Sequence, residues 1–230
     1  MDADVSVAIR ALKDGRFVLI HDSEGRENEV DLAVLADRVS PATVAQMRRD
    51  AGGLICVALH PRIADNFGLP YLMEIYDIAS SRFEVLKKAR ADDLPYDERS
   101  AFSLSVNHRK TYTGITDTDR ALTIRRLGEL GREAMRRSMV DEFGREFRTP
   151  GHVHLLRAAD GVLGVRRGHT ELAVALALLA DETPAVAICE MLDHQTHRAL
   201  SVERADEYAR RVGTVLLSGE SIQRAWEGYL

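Results

Sequence analysis

The sequence has few cysteines and no long apolar run. Cys56 and Cys189 are the only cysteines among the 230 residues, and each lies alone in an apolar stretch. This spacing excludes a disulfide framework and a Cys-x-x-Cys metal site, and it predicts buried, reduced thiols. The N-terminus has no basic-then-apolar signal pattern, and no apolar run is long enough to cross a membrane. We therefore expect a soluble, cytoplasmic protein that does not use a membrane as a partner.

An excess of basic charge is also missing. The chain carries 31 lysines and arginines against 36 aspartates and glutamates, which gives a formal net charge of -5. Nonspecific nucleic-acid binding needs a basic surface, so this balance argues against a nucleic-acid partner. The sequence also lacks the motifs G-x-x-x-x-G-K-[ST], H-E-x-x-H and G-x-S-x-G. Their absence disfavours nucleotide hydrolysis, zinc proteolysis and α/β-hydrolase chemistry.

The composition is typical of a globular protein, with 45% hydrophobic and 29% charged residues. A chain of this size can form a stable core without disulfides or structural metals. Strand-like and helix-like patterns mix without strict alternation. They favour one α+β domain over residues 1–230, with a mixed sheet flanked by helices. The predicted strands are 17–20, 32–36, 53–59, 102–106, 153–156, 162–165, 186–189 and 214–217. The predicted helices are 3–13, one starting at Ser40-Pro41, one capped by Asp117 or Thr118 and running to 130, 169–180, 201–212 and a terminal helix.

Two segments give no clear periodicity. Residues 77–101 are charged and interrupted by Pro95, which predicts a partly helical surface excursion. Residues 141–152 are polar and end in Thr-Pro-Gly-His. We predict a loop there, with a Pro-Gly turn that presents His152 just before a strand.

The first candidate site is the acidic segment 22–31 between two apolar strands. It holds five carboxylates within ten residues. Carboxylate oxygens suit a hard cation such as Mg²⁺, which also keeps water and substrate oxygens as ligands. A solvated acidic loop is the alternative, because charge runs are usually surface. The five acids are Asp22, Glu24, Glu27, Glu29 and Asp31.

The second candidate is the segment 166–171, Arg-Arg-Gly-His-Thr-Glu, at the start of an apolar helix. Helix-start amides with an arginine and a threonine hydroxyl form a suitable phosphate seat, and His169 can bind a metal through neutral imidazole. A plain helix start fits less well. Arginine and histidine are unfavourable at the positive end of a helix dipole unless an anion is bound.

Three further candidates are single groups. His152 could move protons near neutral pH, although a lone histidine outside regular structure is more often an ordinary surface group. Glu190 closes the apolar strand 186–189, where it could have a raised pKa or could simply reach solvent. The segment 112–117, which includes Thr113, offers hydroxyls and amides before a helix, or is only its cap.

These residues alone favour a metal-assisted enzyme that acts on a small phosphorylated molecule. Two other classes of protein would also need a metal site and a phosphate site. A phosphosugar isomerase or aldolase would release no formate. A sugar-phosphate binding protein would show no turnover, and its acid–base residues would then be unexplained.

Four short motifs narrow this choice. They are Arg-Glu-Asn-Glu-Val-Asp at 26–31, Pro-Gly-His-Val at 150–153, Gly-His-Thr-Glu at 168–171 and Cys-Glu at 189–190. Each is weak alone, but together, in this order and spacing, they resemble the 3,4-dihydroxy-2-butanone 4-phosphate synthase family. The resemblance runs from about residue 11 to the C-terminus and is strongest to the monofunctional archaeal members.

The resemblance implies an α+β homodimer that converts D-ribulose 5-phosphate to L-3,4-dihydroxy-2-butanone 4-phosphate and formate in riboflavin biosynthesis. It implies Mg²⁺ or Mn²⁺ as cofactor, with two ions per active site. The implied metal ligands are Glu27 and His169.

The same resemblance implies roles for the other candidates. His152 and Glu190 are the expected catalytic residues, with Asp22 and Glu24 assisting. The expected substrate-binding residues are Arg26, Glu27, Asp31, Thr113, Arg166, Arg167, Gly168, His169, Thr170 and Glu190.

Three positions depart from the family's usual residues without removing a proposed ligand. Val30 replaces a frequent glycine, Thr149 a frequent arginine and Arg167 a frequent small residue. Because the candidate groups lie on widely separated segments, we also predict that each site draws on both chains of a dimer. We expect the loop that bears His152 to reach across.

Overall fold

A seven-stranded mixed sheet organises the computed structural model, which describes residues 3–97 and 99–229. The strand order is β4-β5-β3-β6-β2-β1-β9. The pairs β1–β9 and β3–β5 are parallel, and the other neighbours are antiparallel. Strands β7 and β8 form a separate two-stranded sheet. The bounds are β1 Val18–His21, β2 Val30–Leu35, β3 Cys56–Leu59, β4 Phe102–His108, β5 Phe147–Arg157, β6 Ala185–Glu190, β7 Leu192–Asp193, β8 Arg198–Ala199 and β9 Leu216–Ser218.

Helices cover both faces of the sheet. Their bounds are α1 Ala3–Lys13, α2 Pro41–Gln46, α3 Pro61–Phe67, α4 Leu72–Ala79, α5 Glu84–Lys88, α6 Asp117–Ala134, α7 Val140–Glu146, α8 His169–Leu179, α9 Val202–Val212 and α10 Gly219–Glu227. A π-helix, Met47–Ala51, continues α2. Short 3₁₀ turns lie at Ala36–Arg38 and Val162–Gly164.

Alternation along the strands divides the core into two layers. In β2, Leu32 and Val34 face the layer that contains α2, α3, α6 and α9, whereas Ala33 and Leu35 face α1, α8 and α10. Helix α8 is enclosed by the sheet and by α1 and α10, and all of its residues except Leu178 are buried. This explains why its sequence is apolar on every side. No helix in residues 3–97 and 99–229 is long and apolar enough to span a membrane.

The α+β class and the mixed sheet flanked by helices are confirmed, and α1 has the predicted bounds. Ser40 caps α2, because its hydroxyl accepts the N–H of Thr43 at 3.2 Å. The cap of α6 was predicted one or two residues late. Thr116 caps this helix by accepting the N–H of Asp119 at 3.1 Å.

The predicted loop at 141–152 is wrong. Helix α7 and the first half of β5 occupy this segment, so His152 lies inside a strand. Phe143 anchors the short helix, with ring centroids 5.1 Å from Phe67 and 4.9 Å from Phe147. A single anchoring side chain in two polar turns leaves almost no periodic signal in the sequence.

The predicted strand at 162–165 is also wrong, because the chain forms a 3₁₀ turn there. Gly161 precedes it with a φ of 92°, a left-handed conformation that favours glycine. The chain turns at Gly161, so the apolar residues 162–165 do not extend as a strand beside another strand. Residues 77–101 are partly helical, as predicted, through the end of α4 and through α5.

Strand register and one helix start bring the site together. Asp31 at the start of β2 pairs with Glu190 at the end of β6. Helix α8 begins at His169, whose ring lies beside the same strand end.

Candidate active site

The acidic segment between β1 and β2 is folded by one of its own carboxylates. Asp22 is buried, and its two oxygens accept the backbone N–H groups of Glu27 at 3.0 Å and Glu29 at 3.1 Å. Asn28 between them has a φ of 54°, a conformation that asparagine tolerates better than most residues. The loop is therefore shaped so that Glu27 faces the start of α8.

Three side chains at this position form a group suited to a metal ion. Ligand atoms of Asp22, Glu27 and His169 all lie within 4.8 Å of one another. His169 Nδ1 is 3.2 Å from a Glu27 carboxylate oxygen, and Nε2 is 3.1 Å from the Glu29 carbonyl oxygen. Two carboxylates and an imidazole form a mixed O/N donor set within reach of a divalent cation.

Asp31 supplies an independent sign that this group fits a cation. Its carboxylate is buried, and its Oδ1 atom has no hydrogen-bond partner among the described residues. The same atom is 3.8 Å from His169 Nε2. A buried carboxylate oxygen is costly unless it is paired or bound to a cation, so the residues present fit a metal in this place.

Crowded carboxylates shift the pKa values of the group. Burial, reinforced by Glu190, Glu27 and Glu29 against the pull of His169, raises the pKa of Asp31 to about 7. Burial lowers the pKa of His169, but the charges of Asp31, Glu27 and Asp22 outweigh it and raise the value to about 10. In the absence of a metal, the imidazole is therefore protonated at neutral pH, and its positive charge balances part of the negative charge of the carboxylates.

Glu190 lines a small cavity together with members of this group. The cavity has a volume of about 310 Å³, and Glu27, Asp31, His169, Thr170 and Glu190 line it. This volume suits a small ligand. A larger cavity of about 1480 Å³ shares one wall with it and includes Asp22, Arg26, Arg166 and Arg167.

Two arginines between the cavities converge on one carboxylate. Arg26 Nη2 lies 2.9 Å and Arg166 Nε 2.5 Å from the same oxygen of Asp97. Arg166 also contacts the buried carboxylate of Glu171 at 2.5 Å. These donors could also bind a substrate anion.

The sequence did not indicate Asp97, and it placed Glu171 in the candidate segment 166–171 without assigning it a role. Glu171 carried a weak signal, because an acid in the first turn of α8 lies close to the arginine that precedes it. Asp97 carried none, because it lies in the irregular part of 77–101.

The start of α8 combines a tightly packed glycine with an exposed arginine. A Cβ atom on Gly168 would lie 2.3 Å from Arg166 Nη1, so only glycine lets that guanidinium cross the helix start. Thr170 is buried and lines the smaller cavity. Arg167 is exposed on the wall of the larger cavity.

His152 and Thr113 form a separate group. The side-chain oxygen of Asn107 accepts the backbone N–H of His152 at 2.8 Å, and its nitrogen donates to the Thr113 carbonyl at 3.4 Å. Both His152 and Thr113 are exposed. In the described part of the chain, neither lines the two cavities above.

Glu24 is exposed in the turn of the acidic segment and lines neither of these cavities in the described residues. Two of the unusual positions have clear local roles. The side chain of Val30 is buried in the core layer of α6, and the Thr149 hydroxyl donates to the Ser105 carbonyl at 2.8 Å.

We predict that turnover needs no thiol. Burial raises the pKa of Cys189 to about 12 and the pKa of Cys56 well above its usual value, so both thiols stay protonated and are poor nucleophiles. A double variant, Cys56→Ala with Cys189→Ala, should keep kcat within about two-fold. Loss of all turnover with an unchanged circular dichroism spectrum would reveal a catalytic cysteine.

Comparisons with known proteins identify the family of this chain. A family profile described as 3,4-dihydroxy-2-butanone 4-phosphate synthase matches residues 6–225. The enzyme of that name from Archaeoglobus fulgidus is 55% identical over 223 residues, which cover 96% of this chain and 93% of the relative. A relative from Oryza sativa, named as a probable bifunctional riboflavin biosynthesis protein, is 30% identical over 94% of this chain and 36% of its own length.

Solved structures give the same result. A crystal structure of a 3,4-dihydroxy-2-butanone 4-phosphate synthase in a cation-free form has a TM-score of 0.77 and 31% identity, covering 99% of this chain and 98% of that chain. A synthase crystallised in complex with two magnesium ions has a TM-score of 0.74 and 33% identity, covering 96% of this chain and 94% of that chain.

The fold and the comparisons together define the chain as an α+β enzyme of the lyase class. It belongs to the 3,4-dihydroxy-2-butanone 4-phosphate synthase family. The resemblance seen in its four short motifs is thereby confirmed.

Proposed function

We propose that this chain converts D-ribulose 5-phosphate to L-3,4-dihydroxy-2-butanone 4-phosphate and formate, a magnesium-dependent step that supplies four carbons to riboflavin. The observation that carries the proposal is the meeting of Glu27, His169, Asp31 and Glu190 around one cavity of about 310 Å³. The close relatives bear the name of this synthase, and one relative is named for riboflavin biosynthesis.

We infer two Mg²⁺ ions per site, with Mn²⁺ as a substitute. Glu27 and His169 would hold the metal, and Asp22 lies within reach of the same position. The bound metal would stabilise negative charge on neighbouring sugar oxygens and orient them. The solved relative with two magnesium ions supports this cofactor and count.

Substrate binding divides between the two sides of the site. Arg26, Glu27 and Asp31 would contact the sugar, and residues 166–170 would hold the phosphate through arginine, helix-start amides and the threonine hydroxyl. A substrate phosphate would then replace the Asp97 carboxylate between Arg26 and Arg166. Phosphate binding energy would help to fix the reacting end in place.

The reaction needs proton transfers at several carbons but no oxidant. The substrate is enolised, loses one water, rearranges its carbon skeleton, and takes up one water to release formate. The two products together contain all the atoms of the substrate. Glu190 and His152 would move these protons, assisted by Asp22 and Glu24, and Thr113 would contact the substrate from the His152 side.

We infer a homodimer that acts in the cytoplasm. His152 and Thr113 are exposed and lie outside the two cavities in the described part of the chain, so a second chain could complete the site with them. This arrangement would give a symmetric dimer two equivalent sites.

Incubation with ribulose 5-phosphate tests the function. With Mg²⁺, the protein should release formate, and EDTA should stop the release. Consumption of the substrate without formate would favour an isomerase or aldolase. Saturable binding of the substrate without any product would favour a sugar-phosphate binding protein.

A further inference from the structure

Two consecutive glycines carry the chain from the π-helix to β3 past the end of β6. Gly52 has a φ of 88° and ends the π-helix. The N–H of Gly53 donates to the carbonyl oxygen of Glu190 at 3.0 Å, and the N–H of Leu54 donates to the Glu190 carboxylate oxygen Oε2 at 2.7 Å. This segment therefore binds both the backbone and the side chain of Glu190, and β3 begins only at Cys56.

The two glycines are required for different reasons. A Cβ atom on Gly53 would lie 2.4 Å from Oε2 and 2.6 Å from the carbonyl oxygen of Glu190, so no other residue fits without moving Glu190. A Cβ atom on Gly52 would meet nothing within 4 Å. Gly52 is needed only for its backbone conformation.

We propose that Gly53 and the backbone N–H of Leu54 are positioning elements for Glu190, which they hold with Oε2 fixed and Oε1 free for the reacting proton. The proposal rests on the proposed function, because it takes Glu190 as a proton carrier. Oε1 has no hydrogen-bond partner among residues 3–97 and 99–229. One bond from a rigid backbone removes most of the rotational freedom of a glutamate side chain.

Electrostatics explains why Glu190 needs such an anchor. It shares the cavity with Asp31 and Glu27. Asp31 also pairs with Glu190 on the neighbouring strand, and like charges placed directly opposite each other repel. Without the Leu54 N–H, repulsion would turn Glu190 away from the cavity. With it, the carboxylate stays where a substrate carbon can reach it.

The most direct test replaces Leu54 by leucic acid, so that a backbone ester stands where the N–H was. The side chain is unchanged, and only the donor to Oε2 is lost. We expect kcat to fall about 10- to 100-fold, as for loss of one hydrogen bond to a charged group. The KM for ribulose 5-phosphate and the Mg²⁺ affinity should stay within about two-fold, because most of the proposed contacts to the substrate and all of those to the metal come from other residues.

The matched control places glycolic acid at Gly52. This ester removes the N–H that donates to the Met47 carbonyl at 2.9 Å but leaves Glu190 untouched. Its kcat should stay within about two-fold. A second pair gives the same contrast without esters. Gly53→Ala should lose at least about 100-fold in kcat, whereas Gly52→Ala should lose stability but keep kcat.

Three results would overturn the proposal. The first is a folded Leu54 ester with wild-type kcat. The second is a Leu54 ester that loses kcat, substrate affinity and Mg²⁺ affinity together, which would indicate a general structural role. The third is a wild-type protein that releases no formate, and this result alone would also contradict the proposed function.

Discussion

Replacing Glu27 by glutamine, or His169 by alanine, should weaken Mg²⁺ binding at least about 100-fold without unfolding the chain. Each change removes one member of the group whose ligand atoms lie within 4.8 Å. In Glu27→Gln the fold should survive, because removing one carboxylate near Asp31 offsets the lost contact with His169. In His169→Ala, Asp31 loses the positive charge that lowers its pKa, so this buried carboxyl can take up a proton and remain neutral. Calorimetric titration in the presence of a substrate analogue measures the change.

Because His169 must lose a proton to bind a metal, the Mg²⁺ affinity should depend on pH. Its pKa of about 10 in the metal-free protein means that it carries a proton at pH 7, yet only neutral imidazole binds a metal. Metal binding should therefore release about one proton from His169, and the apparent affinity should rise with pH up to about 10. Titrations in two buffers with different heats of ionisation measure the released proton.

A charge-matched control is Glu133→Gln on α6, which removes an exposed carboxylate far along the chain. It should bind Mg²⁺ like the wild type. Wild-type affinity in both Glu27→Gln and His169→Ala would end the metal assignment. Binding without proton release would mean that His169 is not a ligand.

Replacing His152 by alanine should lower kcat about 100- to 10,000-fold, the range for loss of a general acid or base. Stability should change little, because the side chain is exposed and its backbone bond to Asn107 is retained. The unfolding free energy, measured with urea, separates the two effects. A kcat near that of the wild type would remove His152 from the reaction.

Mixing inactive variants asks which chain supplies His152. The prediction that His152 reaches a partner's site remains, but its original basis, a projecting loop, is wrong because the residue lies in β5. Strand β3 lies between β5 and β6, where Cys56 pairs with His154 of β5 and with Ile188 of β6. Two strand spacings, about 10 Å, therefore separate the backbones of β5 and β6, and in the described residues His152 lines neither cavity.

The mixing experiment combines His152→Ala with Glu27→Gln under conditions that exchange subunits. If the two residues of a site come from different chains, each mixed dimer has one intact site. Random exchange then restores about a quarter of wild-type activity. No recovery despite demonstrated exchange would place Glu27 and His152 of each site on the same chain.

The sequence predicted the parts of the site that carry dense local signals. The acidic segment 22–31 and the helix start at 166–171 stood out by composition, and the structure brings Glu27 and His169 within 3.2 Å although 142 residues separate them. The fold class followed from mixed strand and helix patterns. Both results depend on local residue choice, which a single sequence displays.

The features that the sequence did not predict depend on tertiary contacts. Asp97 matters because it meets Arg26 and Arg166, and nothing around it in the sequence indicates this. Gly53 was predicted to begin the strand 53–59, but β3 begins only at Cys56, because the contact of Gly53 with Glu190 appears only when β3 and β6 pair. No sequence pattern predicted the π-helix or the conformation of Gly52. Helix α7 was missed because it is anchored by Phe143, whose contact with Phe67 joins segments that are distant in the sequence.

The carbon balance of the reaction tests the central claim most directly. Purified protein with Mg²⁺ and ribulose 5-phosphate can be followed by NMR, with formate and the four-carbon phosphate measured together. We expect one formate for each ribulose 5-phosphate consumed, and no formate from the Glu27→Gln variant. Consumption of ribulose 5-phosphate with no formate, or with a five-carbon product alone, would contradict this claim.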